Sequence, residues 1–87
     1  MNAPAENTES QLNDNQLTGA AYALSMQIHA KVKTHNRLAP TSYNRAVLIG
    51  EITELRRQFD ALRKQVKGKD NRALLTFQNR ICAKLDA

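Results

Sequence analysis

Between Tyr43 and Lys67 the large apolar residues Leu48, Ile52, Leu55, Phe59, Leu62 and Val66 recur at spacings of 4, 3, 4, 3 and 4. An amphipathic α-helix is the element that brings such a series to one side, because its faces repeat every 3.6 residues. A lone helix with one apolar face is marginal in water, so another surface has to cover this seam. The rest of the chain is constrained by that need.

At 87 residues there is room for one small domain. Aromatic residues make up only 5% of it and Trp is absent, so a core must be built from Leu, Ile, Val and Ala. Three Gly and two Pro supply too little turn chemistry for a fold of many short strands. The expected class is all-α, a small helical bundle.

The chain order supports this class. Residues 1–16 are rich in Asn, Gln, Ser, Thr and acids, and after Met1 hold only Leu12 as a large aliphatic residue. Such a stretch buries too little apolar area to offset its ordering entropy, and is expected to be a flexible leader that orders only against a partner. Residues 17–87 then form the helical domain. Leu17, Ala20, Ala21, Leu24, Ile28 and Val32 share one face of a first helix over about 18–33, with Thr18 or Asn15 as its cap. Residues 34–42 are a connector in which Pro40 disfavours helix at Ala39, and Thr41 or Ser42 can cap the second helix.

The seam helix is expected over about 43–67, with Gly68 as a left-handed C-cap. Asp70 or Asn71 then starts a third helix over about 71–85, striped by Leu74, Phe77, Ile81 and Leu85. The short turn between helices two and three predicts an antiparallel hairpin. The architecture is therefore an N-terminal helix plus a helical hairpin, closed either within one chain or by dimerisation. With Leu48, Leu55 and Leu62 at d and Ile52, Phe59 and Val66 at a, the seam suits a two-stranded coil in which Glu51 and Arg56 pair across the dimer. A homodimer is the preferred closure. Gly50, inside the helix, would permit a close backbone approach.

Catalytic chemistry is hard to find. His29 and His35 are six apart, outside the spacing that puts two ligands on one helical face, and no acid lies between residues 15 and 50 to complete a site. They read as surface or interface histidines. Cys82 lacks an aligned base and reads as a half-buried helical thiol. As the only cysteine it excludes an intrachain disulfide or a Cys-based metal cluster from one chain. Arg56–Asp60 and Asp60–Lys64 are four apart and read as helix-surface pairs. No phosphate loop, metal-spaced set or nucleophile motif is present. No enzyme, metal or cofactor is expected.

Charge is the remaining signal. Residues 1–29 carry Glu6, Glu9 and Asp14 and no Lys or Arg, whereas residues 30–87 carry all 13 basic residues against five acids, a balance of +8. Arg63, Lys64, Lys67, Lys69 and Arg72 gather around the turn between the second and third helices, with Arg56 and Arg57 just before them. Such a stripe fits an acidic protein face or nucleic-acid phosphates. The run Asn44-Arg45-Ala46-Val47-Leu48-Ile49-Gly50 looks like the opening strand of bacterial single-stranded-DNA-binding proteins of the OB-fold type. The resemblance covers seven residues. It continues into helical period with none of the further strands an OB barrel requires, so no site residue is taken from it.

The reading is a non-enzymatic helical protein–protein interaction module, an adaptor, assembly factor or inhibitor acting on a larger protein or nucleoprotein complex. Small size and the lack of a catalytic set would also suit an accessory protein of a phage or plasmid. The alternative is a nucleic-acid-binding protein contacting phosphates through Arg63–Arg72. Without a basic n-region or an apolar h-region at the N-terminus, and with no apolar run approaching the length of a bilayer, neither secretion nor a membrane is expected, and the expected compartment is the cytoplasm.

Overall fold

The computed structural model describes residues 13–86, and these form three α-helices with no strand among them. Helix α1 spans Asp14–Arg37, α2 spans Tyr43–Arg63 and α3 spans Lys69–Cys82. The all-α class and the small bundle are as the periodicities require. The run resembling an OB-fold strand lies wholly inside α2.

Helix α1 starts four residues earlier than its apolar face suggests, because its cap is Asn13. The Gln16 N–H donates to Asn13 Oδ1 at 2.8 Å and the Asn13 N–H donates to Gln16 Oε1 at 3.0 Å, a reciprocal capping box. Residues 13–16, expected in the leader, are thus the cap and first turn of a helix. The leader's other residues, 1–12, lie outside the described ones. At its far end α1 continues to Arg37 before Leu38 turns extended ahead of Pro40. Ser42 then caps α2, accepting from the Asn44 N–H at 3.2 Å.

Hydrogen bonds fix how the helices run. Lys31 meets Glu51 and His35 meets Arg45, so α1 and α2 are antiparallel across their connector. Ser25 meets Gln78 and Asn36 meets Lys84, so α3 runs alongside α1 in the same direction. Helices α2 and α3 each pack on α1 far more than on one another. The seam helix is therefore a flank, and α1 is the shared centre.

Burial explains that role. Leu17, Ala21, Ser25, Ile28, Val32 and His35 line the covered face of α1, and Ala21 and Ser25 are fully enclosed. Small residues in mid-helix let neighbouring backbones come close, and the large side chains on either side then interdigitate. On α2 the row at a does most of the packing, with Ile52 and Phe59 buried and Val66 buried just past the helix end. Leu48, Leu55 and Leu62, the row at d, are only half-buried. On α3, Leu74 and Ile81 are buried while Phe77, and Leu85 beyond the helix, are half-buried. A dimer seam along Ile52, Phe59 and Val66 is not needed, because helices of the same chain cover those residues. Glu51, assigned a partner across a dimer, instead bonds Lys31 of its own chain at 2.9 Å.

Two asparagines close the ends of the bundle. Asn71, expected as a cap for α3, instead turns back to α2, where its Nδ2 donates to the Arg63 and Val66 carbonyls, both at 2.9 Å. Those carbonyls belong to the last turns of a helix and its exit, where main-chain partners run out. At the opposite end, Asn36 Nδ2 donates to the Lys84 carbonyl at 2.7 Å and Asn36 Oδ1 accepts the Asp86 N–H at 3.0 Å. One amide side chain thereby clasps the backbone of the last turn.

The glycines predict opposite outcomes. Helix α2 ends at Arg63, and Gly68 is the N-cap of α3, not a C-cap of α2, with φ 74° and ψ −146°. That region suits only glycine, so Gly68→Ala should destabilise by about 1–3 kcal/mol. Gly50 is exposed, and a Cβ built on it meets nothing within 4 Å, so it permits no close approach. Gly50→Ala should stabilise by about 0.5–1 kcal/mol. Urea denaturation of the two variants checks the pair, and a shared sign would contradict the fold at one of the two positions.

Candidate functional site

Two surfaces carry features beyond what folding requires. The first is the turn between α2 and α3, where the sequence concentrates cations. The structure divides the seven. Arg57 bonds Glu54 through Nε at 3.0 Å. The Arg57 guanidinium, with the Gln58 amide beside it, holds the Glu54 carboxyl well below the usual carboxylate range, at about 2. Arg57 is thus offset by a neighbour ionised at any ordinary pH. Arg63 is half-buried, reaching Asp60 at 3.4 Å and Asn71 Oδ1 at 3.1 Å, so it serves the turn's own geometry. Asp60 therefore pairs three residues on, with Arg63, and not with Arg56 or Lys64 as their four-residue spacing suggested. Arg56, Lys64, Lys67, Lys69 and Arg72 are exposed and make no ion pair among the described residues.

The second surface was not visible in the sequence. Between α1 and α3 lies a cleft of about 290 Å³ lined by Met26, His29, Phe77, Arg80, Ile81 and Lys84. Each lining residue follows from helix register. Met26 and His29 flank the buried row Ser25–Ile28–Val32 on its α3 side. Phe77, Arg80, Ile81 and Lys84 repeat at i, i+3, i+4 and i+7, one edge of α3 and its exit. Met26 is 54% exposed, so a long apolar side chain stands open to solvent. Beside it Tyr22 meets Phe77 edge to face, with ring centroids 5.2 Å apart at 63°. Arg80 and Lys84 are exposed and make no ion pair among the described residues. No carboxylate lines the cleft. Beside it the buried hydrogen bond from Ser25 Oγ to Gln78 Oε1 at 2.8 Å joins α1 to α3, one residue from Met26 and one from Phe77.

No family model, curated protein or solved structure matches this chain.

The histidines take different places. His29 lines the cleft. His35, read from the sequence as a surface or interface residue, is 3% exposed inside the chain. Its Nε2 accepts from Arg45 Nε at 3.1 Å, which leaves Nδ1 as the protonated nitrogen donating to Asn36 Oδ1 at 2.9 Å. Arg45 also approaches Asp86 at 3.6 Å. This network ties the α1–α2 corner to the chain's last turn and has no reactive geometry. Around it, a shallower cleft of about 220 Å³ includes Ile49, Pro40 and Asp86. Cys82 is half-buried and packs against the core. Among the described residues no three His, Cys, Asp or Glu side chains converge as metal ligands would, and no helix is long and apolar enough to cross a membrane.

Proposed function

We propose that this protein is a non-enzymatic helical interaction module that takes a larger protein or nucleoprotein partner on its surface. The α1–α3 cleft carries this reading. Met26 stays open beside a closed core, and Phe77 next to it is only half-buried. An exposed methionine next to an aromatic pair, with cations at the edge, has the composition of an interface centre and rim. An adaptor, assembly factor or inhibitor works through such a surface.

The test is affinity capture through an N-terminal tag, with and without nuclease, since a C-terminal tag would adjoin the clasped Asp86. A partner protein should be recovered equally in both, lost with Met26→Glu, and kept with the paired changes Lys64→Glu and Lys67→Glu. Recovery that vanishes with nuclease, or that ignores Met26→Glu, would count against the reading.

A second reading has its own support. Lys64, Lys67, Lys69 and Arg72 place four exposed, unpaired cations within nine residues at one end of the bundle. If they meet nucleic-acid phosphates, duplex binding should fall with salt at a log–log slope of about −3 to −4, and the triple reversal of Lys64, Lys67 and Lys69 to Glu should abolish it. A flat salt response would dismiss this alternative.

A further inference from the structure

We propose that the α1–α3 cleft is a receptor groove for an acidic amphipathic helix of a partner protein. This rests on the interaction-module reading and names the partner's chemistry. Three observations converge on it.

Shape comes first. The cleft lies between two helices that run side by side in one direction, so its long axis follows theirs. Along α3 and its exit the lining extends from Phe77 to Lys84, seven steps of the chain, or about 10 Å at 1.5 Å per residue. That is two helical turns, the length over which a docked helix offers anchors at i, i+3 or i+4, and i+7. At about 290 Å³ the cleft is at the lower limit of small-molecule pockets, and being open along one side it suits a few side chains from a larger body better than an enclosed ligand.

Chemistry comes second. The apolar lining is Met26, Phe77 and Ile81, with Tyr22 and Phe77 packed edge to face. Methionine is the side chain best able to reshape around branched aliphatic anchors. Leucine or isoleucine from the partner would therefore occupy the centre.

Charge comes third, and it selects the partner. Arg80 and Lys84 stand four apart along the α3 edge, exposed, with no carboxylate among the lining residues and no ion pair among the described ones. Lys33, exposed, comes four residues after His29 on the α1 edge. A helix entering between these edges meets positive charge on both flanks. Complementary acids speed its encounter and fix its register, while basic flanks are repelled.

The experiment uses two labelled synthetic peptides of 18 residues. Each has leucines at helical spacing on one face and alanine opposite, and the flanks are Glu in one and Lys in the other. Fluorescence polarisation at 150 mM salt reads their binding to the full chain. The acidic peptide should bind at least tenfold more tightly than its basic twin. Met26→Glu should weaken the acidic peptide at least tenfold. Arg80→Glu with Lys84→Glu should reverse the preference, and Lys64→Glu with Lys67→Glu, at the other end of the bundle, should leave it unchanged. Circular dichroism confirms that the variants keep their helix content.

Equal binding of the twins, no binding of either, or indifference to the Arg80 and Lys84 reversals would overturn the proposal. So would light scattering showing association of the 9.8 kDa chain that Met26→Glu abolishes, since a second copy would then fill the groove. Loss of peptide discrimination with partner capture intact removes the groove's assignment alone, whereas failure to capture any partner removes the broader reading.

Discussion

Phe59→Ala should lower unfolding stability by about 3–5 kcal/mol, read as a shift of the urea midpoint at unchanged slope. Phe59 is fully buried and is the largest enclosed side chain among the described residues. It sits at the middle of the row formed by Ile52, Phe59 and Val66, so the hole it leaves is bounded by buried apolar groups. Removing it costs both the transfer of the ring and the contacts around the void. Single domains are stable by only about 5–15 kcal/mol, so the variant should stand near the limit of folding. Phe59→Leu should recover a large part of the loss. A cost below about 1 kcal/mol for the alanine variant would mean that α2 does not present this row to α1 and α3.

Leu74→Ala should be the second most damaging change, at about 2–5 kcal/mol, while its neighbour Leu75→Ala should cost well under 1. Leu74 is fully buried and Leu75 is 37% exposed. Helix α3 has only 14 residues and rests mainly on one helix, so its position depends on few side chains. Thermal unfolding of the two variants fixes its rotation. Reversed effects, with Leu75→Ala the more costly, would mean that the helix sits turned by about 100° from the geometry described, the angle between successive residues on a helix of 3.6 per turn. In that case Arg80 and Lys84 would no longer border the cleft.

The helices were legible because period and burial agree. The row at a in α2 and Leu74 and Ile81 in α3 lie where a 3.6-residue period puts the core. Less visible was the identity of the central helix. Two of the innermost positions of α1 are Ala21 and Ser25, residues that say little by hydropathy yet permit close approach. Ser25 and His35 were missed, although they occupy the slots four after Ala21 and three after Val32. Arg45 likewise lies seven before Ile52, in the same row, but a buried guanidinium reads as surface until its partners His35 and Asp86 are seen.

Of the candidate site, the basic turn was readable as composition, but its division was not. Whether Arg63 faces solvent or Asn71 is a question of tertiary contact. The cleft was beyond reach for a related reason. It exists only because α3 lies parallel to α1, and the order of packing among three amphipathic helices is not encoded in any one of their stripes. The boundaries moved where polar side chains, not apolar period, decide them, at Asn13, Gly68 and Asn71.

The Asn36 clasp holds Lys84 and Asp86 by their main chain, leaving the lysine side chain uninvolved in keeping the last turn in place. Arg80, on the exposed side of α3, is equally absent from the core. Rim and scaffold are therefore encoded separately. Residues 80 and 84 can drift, even through changes of sign, without disturbing the bundle, whereas position 36 cannot. If the groove binds as proposed, single substitutions at positions 80 and 84 would change its preference without a cost in folding.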